Sequence, residues 1–217
     1  MSARPTVKRY IRHVTAPAHI PEPDDPPRED HFVHFHGVSW ADYERFLELR
    51  GDSSAPRITY LEGELEIMSP SRSHESIKSV IGCLVEVWCL EHGMEFSTYG
   101  SWTLQNKAGE RGAEPDECYV FGAVAEPTRP DLAIEVVWTS GGINKLEVYR
   151  GLGVREVWYW RRSKIQPYVL RGDRYEPVER SEALPELDLD LLASHVERPT
   201  TSQAIRDYRA ALISERS

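Results

Sequence analysis

A chain of 217 residues, 40% of them hydrophobic, can bury a core of its own, and no apolar run in it approaches the ~18 residues that a membrane span requires. Its formal net charge of -9 at pH 7 disfavours a protein that simply coats nucleic acid with lysine and arginine. Three cysteines, Cys83, Cys89 and Cys118, are an odd number without paired spacing, which argues against a disulfide framework and for a reducing, cytoplasmic setting.

The first ten residues are basic, but no apolar stretch follows them, so no secretory signal is expected. Proline and charge dominate residues 1–35, with Pro21-Glu22-Pro23-Asp24-Asp25-Pro26-Pro27 at the centre. Such a segment buries too little apolar surface to offset its ordering entropy. An extended or disordered arm over 1–35 is expected, followed by one domain over 36–217. His31, His34 and His36, at the end of the arm, read as exposed residues rather than metal ligands. The charge is unevenly spread: residues 22–48 carry -6 and residues 141–180 carry +4.

Ser39 is placed to cap a helix running to residue 50, with Trp40, Tyr43, Phe46 and Leu47 on one face and Gly51 at its end. Residues 57–62 and 64–68 alternate like strands around Gly63, the pattern of a hairpin. Ser69-Pro70 opens the longest helix, to residue 92, whose Ile77, Ile81, Leu84 and Trp88 keep a 3–4 spacing. Strands follow at 95–99, 102–105, 116–121 and 132–138. After Gly141-Gly142 come a short helix at 143–152, a strand at 154–160, a hairpin at 165–170 and 174–178, and helices at 187–195 and 202–213. This order predicts an α/β fold with one mixed sheet flanked by helices.

Chemistry is concentrated in Leu132-Ala133-Ile134-Glu135-Val136-Val137. Both faces of this strand are apolar except at Glu135, the pattern of a strand covered on both sides. A carboxylate there is costly unless it is paired, protonated or holding a cation. Two readings stand: a buried salt bridge, or a metal ligand or general base. Asp116 is either a turn residue or, beside Glu135 on a neighbouring strand, half of a carboxylate pair for Mg²⁺ or Mn²⁺. Lys145, ten residues after Glu135 and opening a helix, is either an ordinary surface lysine or a group that polarises a phosphate. Glu64 and Glu66 fall on the polar side of their strand. His74, on the face of Ile77 and Ile81, is a packed helix residue or a phosphate contact.

The ordered set Tyr60-Leu61-Glu62-Gly63-Glu64-Leu65-Glu66-Ile67-Met68-Ser69-Pro70, His74, Glu114-Pro115-Asp116, Pro130-Asp131-Leu132-Ala133-Ile134-Glu135-Val136, Lys145-Leu146-Glu147-Val148-Tyr149 and Gly153-Val154-Arg155-Glu156-Val157-Trp158 resembles the Uma-two family of restriction endonucleases. That family is largely bacterial and lies within the PD-(D/E)XK nuclease superfamily. The resemblance implies a restriction-endonuclease-like core with a metal site at one end of a mixed sheet. By position it makes Asp116 and Glu135 the metal-binding acids, Lys145 a lysine displaced onto the following helix, and Glu64 the acid of the Gly-Glu element. The superfamily pattern places its lysine two residues after the second acid, and here that position is Val137. The expected function is a Mg²⁺-dependent (or Mn²⁺-dependent) DNA endonuclease. The alternatives are a nuclease fold kept as a binding or assembly module, and a metal-dependent hydrolase of small phosphate esters. Trp138, Trp158 and Trp160, as interface-prone aromatics, suggest a homodimer.

Overall fold

The structure, a computed structural model, describes residues 29–138 and 142–215. In chain order the first elements are β1 (His31–His36), α1 (Trp40–Arg50), β2 (Arg57–Leu61), β3 (Glu64–Ser69) and α2 (Arg72–Glu91). Next come β4 (Phe96–Thr98), β5 (Leu104–Asn106), β6 (Arg111–Ala113), β7 (Glu117–Phe121), β8 (Leu132–Val136) and α3 (Lys145–Leu152). The last are β9 (Glu156–Arg161), β10 (Lys164–Arg171), β11 (Arg174–Pro177), α4 (Leu189–Val196) and α5 (Thr201–Glu215).

The β2–β3 hairpin turns through Glu62 and Gly63, both at positive φ (46° and 92°), the backbone twist that two-residue hairpins favour. Around it forms an antiparallel sheet in the order β1-β3-β2-β6-β5. A second sheet runs β11-β10-β9-β8-β7-β4, antiparallel except for β8 and β9, which are parallel and joined across α3. The fold is thus mixed α/β with flanking helices, as expected, but the strands divide between two sheets rather than filling one. The division falls at Glu114-Pro115. Apart from β4, which pairs with β7 in the second sheet, the strands up to Ala113 belong to the first sheet and those from Glu117 to the second. Pro115 has no N–H to donate, so the first ladder cannot continue through it.

The second sheet is covered on both faces. Leu132, Ile134, Val136, Trp158 and Trp160 pack against α2, α4 and α5. On the other face Ala133 and Val157 pack with Val148 and Tyr149 of α3 and with Leu104 and Ala113 of the first sheet. Strand β8 is therefore buried along its whole length, as its apolar sequence requires. On the first sheet, α1 packs Trp40 and Tyr43 against Ile58, Tyr60 and Leu65. Ser39 caps α1, its hydroxyl accepting from the Asp42 N–H at 3.2 Å.

Two expectations change. Residues 31–35, expected to belong to the arm, form with His36 the edge strand β1, paired with β3 from His31↔Ser69 to His36↔Glu64. All six are exposed, so no alternation marked them as a strand. The rest of the expected arm, 1–28, lies outside the described residues. Trp158 and Trp160 are core residues, 0% and 1% exposed, so they cannot serve as an interface signal; only Trp138, 41% exposed, remains open to solvent. Among the described residues no helix is long and apolar enough to cross a membrane.

Candidate active site

Glu135 is 1% exposed on the α3 side of β8. Its Oε2 accepts from Lys145 Nζ at 2.6 Å, and its Oε1 accepts from the Tyr149 hydroxyl. Lys145 opens α3 and Tyr149 lies one turn later, so both point from one helix face at the same carboxylate. Gly153 caps α3 in the left-handed conformation, at φ 71°, so the helix ends at Leu152, three residues past Tyr149. Burial, and after it the charge and hydrogen bond of Glu135, hold the Tyr149 hydroxyl well above its ordinary pKa, so it stays a donor. The buried acid legible in the sequence is therefore paired, and its first partner is Lys145. Tyr149, which sequence reading passed over, was signalled by its i+4 spacing from Lys145.

Asp116 lies just before β7, its N–H donating to Ile134 O at 3.1 Å beside Glu135. It is 0% exposed and surrounded by donors. Arg57 of β2 binds Oδ1, while His74 Nε2 and the Val136 N–H reach Oδ2 at 2.9 and 2.6 Å. The network continues outward. His74 Nδ1 lies 2.8 Å from Asp30, which also accepts from Ser71 N–H at 2.7 Å, and Arg57 binds Glu75 at 2.8 Å. Burial raises the Asp30 carboxyl, but its bonds from His74 and Ser71 outweigh this and leave it below its usual value. His74 thus belongs to a buried charge network and joins α2 to the residue before β1. Arg57 and Asp30 carried no periodic or motif signal, because their partners are remote in sequence.

A cleft of about 410 Å³ opens between β1, β3, the end of β8, the start of α3 and β9. Glu135, Lys145, Glu66, His34, Trp138 and Arg161 are among its lining residues; Asp116, His74 and Glu64 are not. Glu66, only 3% exposed, accepts from Ile143 N–H at 3.2 Å with His34 at 3.6 Å. Gly142 permits this approach, since a Cβ there would overlap Glu66 Oε2. Glu64 sits two residues away at the hairpin end, half exposed and paired with His36.

A hard divalent cation prefers carboxylate oxygens, and Mg²⁺ commonly takes only one or two of them beside substrate phosphates. Glu135 and Glu66 are buried acids that line one cleft, and although both oxygens of Glu135 already accept, from Lys145 and Tyr149, Lys145 stands at the cleft wall where it can make way for a cation. Asp116 fits that requirement poorly: it does not line the cleft, and the partners on its two oxygens, Arg57, His74 and a backbone N–H, are themselves buried. Among the described residues no group of three or more His, Cys, Asp or Glu is arranged to hold a metal.

The family model Uma2, described as "Putative restriction endonuclease", matches residues 40–201. The chain belongs to this family. The match spans the first sheet from α1 onward, the whole second sheet and the cleft except its β1 side, so the Uma2 region includes Glu66, Asp116, Glu135 and Lys145. A solved structure from Anabaena variabilis ATCC 29413, described as a "putative nuclease belonging to DUF820", is similar at 15% identity and a TM-score of 0.45, over 75% of this chain and 96% of that one. No curated protein matches the chain.

Proposed function

We propose that the chain hydrolyses phosphodiester bonds of DNA in the cleft between β3, β8 and α3. The observation that carries this reading is the Glu135–Lys145 contact at 2.6 Å, a buried carboxylate holding an ammonium at the wall of an open cleft in a Uma2 chain. Lys145 is 15% exposed, so its Nζ can meet solvent and substrate while staying bound to Glu135. It would donate to a phosphate oxygen where negative charge grows in the transition state. Tyr149 fixes the rotamer of Glu135 and so the position of Lys145. A Mg²⁺ or Mn²⁺ ion held by Glu135 and Glu66 would supply further positive charge to the phosphate. Asp116, clamped from both sides, would act as a positioning residue that holds the ends of β7 and β8 together.

Incubating supercoiled plasmid with the protein and Mg²⁺ or Mn²⁺ tests this reading. Nicked and linear products are expected from the wild type and not from Glu135→Gln. The saturated state of Asp116 favours a second reading, a nuclease fold kept as a binding module. Plasmid left intact by the wild type with either ion would support that reading and sink the first.

A further inference from the structure

The turn between β9 and β10 carries Arg161, Arg162, Ser163 and Lys164. All four are exposed. Among the described residues several arginines pair with acids, including Arg45, Arg50, Arg57, Arg111, Arg171 and Arg174. Arg161, Arg162 and Lys164 differ: none makes an ion pair among the described residues. Glu197 accepts from the Ser163 hydroxyl of the same turn at 2.6 Å.

Two features of this turn work against stability. Arg161 pairs directly opposite Lys164 across the hairpin, and like charges so placed repel. Arg162 and Ser163 both have positive φ, 51° and 58°, where glycine, asparagine and aspartate are the favoured residues. A bulky arginine in the left-handed region is uncommon, and such outliers gather at functional sites. An anion seated on the turn would relieve the repulsion.

The turn is continuous with the cleft. Arg161 lines it together with Glu135 and Lys145, and so does Trp138, a residue 41% exposed just beyond the end of β8. Val137 donates to Trp160 O at 2.9 Å, which sets Trp138 beside the start of the turn. Unpaired cations next to an open aromatic ring are the means by which proteins hold a nucleic-acid strand, with phosphates on the charges and a base on the ring.

Resting on the nuclease reading above, we infer that the β9–β10 turn and Trp138 form the docking edge for the substrate strand: Arg161, Arg162 and Lys164 bind successive backbone phosphates, and Trp138 stacks on an unpaired base. This edge supplies the attraction that an acidic chain otherwise lacks and delivers the strand to Lys145.

The test is the affinity of the full chain for a fluorescein-labelled single strand of twenty nucleotides, measured against salt in EDTA so that cleavage cannot intervene. Arg162→Ala/Lys164→Ala should weaken binding about tenfold or more at low salt. It should also flatten the slope of log affinity against log salt by about 1.4, from two lost contacts at ~0.7 each on a single strand. Its melting temperature should equal or exceed that of the wild type, because the repulsion across the hairpin is gone. Trp138→Ala should weaken single-strand binding by about five-fold or more and leave the slope unchanged, since a stacked ring releases no counterions. Arg45→Ala/Lys107→Ala, which removes the same charge beside α1, should change neither. A turn variant with wild-type affinity and slope would overturn the docking edge while leaving the nuclease reading intact, as would an equal loss from Arg45→Ala/Lys107→Ala. A wild type that binds anionic vesicles but no nucleic acid would overturn both.

Discussion

Asp116 and Glu135 are neighbours at the ends of two adjacent strands, both buried acids, and they are treated in opposite ways. Asp116 is closed in by a guanidinium, an imidazole and a backbone N–H, and it faces no open space. Glu135 has a hydroxyl behind it and an ammonium in front, and the ammonium stands at the wall of a cleft. Burial alone therefore does not mark a reactive acid. What separates the two is whether the partner can leave. Arg57 is itself 2% exposed, and without Asp116 its charge would stay inside the protein, whereas Lys145 can turn its charge into solvent.

The largest consequence concerns Asp116. Asp116→Asn removes the charged partner of a buried arginine and should cost about 3–5 kcal/mol of stability, as the breaking of a buried ion pair generally does. Urea unfolding measures it, and a loss below about 1 kcal/mol would mean that Arg57 is well served by Glu75 alone. Glu135→Gln should be far milder, within about 1 kcal/mol of the wild type. Lys145 is then free to swing outward, the amide still accepts from Tyr149, and a costly buried charge is gone. If Glu135→Gln unfolds the protein as badly as Asp116→Asn, the contrast between the two acids collapses.

The smallest effect sharpens the outer end of the Asp116 network. Asp30 titrates below its ordinary value when folded, so its contribution is complete above the unfolded value of about 3.9 and is lost as pH falls through the lower, folded value. Protection of the β1 amides against hydrogen exchange should accordingly be greater in the wild type than in Asp30→Asn at neutral pH. The two should converge only in strong acid. Equal protection at neutral pH would show that pairing with β3 holds β1 without the Asp30 tether.

These contrasts also mark what the sequence could reveal. Glu135 was legible because an acid inside an apolar five-residue strand has few reasons to be there, and Lys145 because a helix start after a glycine turn returns to its strand. Strand β8 and helices α1, α2 and α3 were legible for the same cause: their periodicity is local. The surroundings of Asp116 were not, since Arg57 and His74 meet it from 59 and 42 positions away and Asp30 braces His74 from 44 positions away, and no pattern of period 2 or 3.6 spans such distances. Strand β1 escaped because every one of its residues is exposed, and β6 because three residues with a central glycine alternate too little to show. Glu66 was indistinguishable from Glu64 in sequence. Only the entry to α3, passing over Gly142, buries one and leaves the other at the hairpin end.

The most direct measurement is the single-turnover cleavage rate of a labelled DNA strand with Mn²⁺, compared between the wild type and Lys145→Ala at equal folded fraction. If Lys145 meets the phosphate in the transition state, the variant should be slower by about 10²–10³-fold, the usual loss on removing one preorganised donor. Equal rates would contradict the assignment and leave the 2.6 Å contact with Glu135 as a structural ion pair at the edge of the cleft.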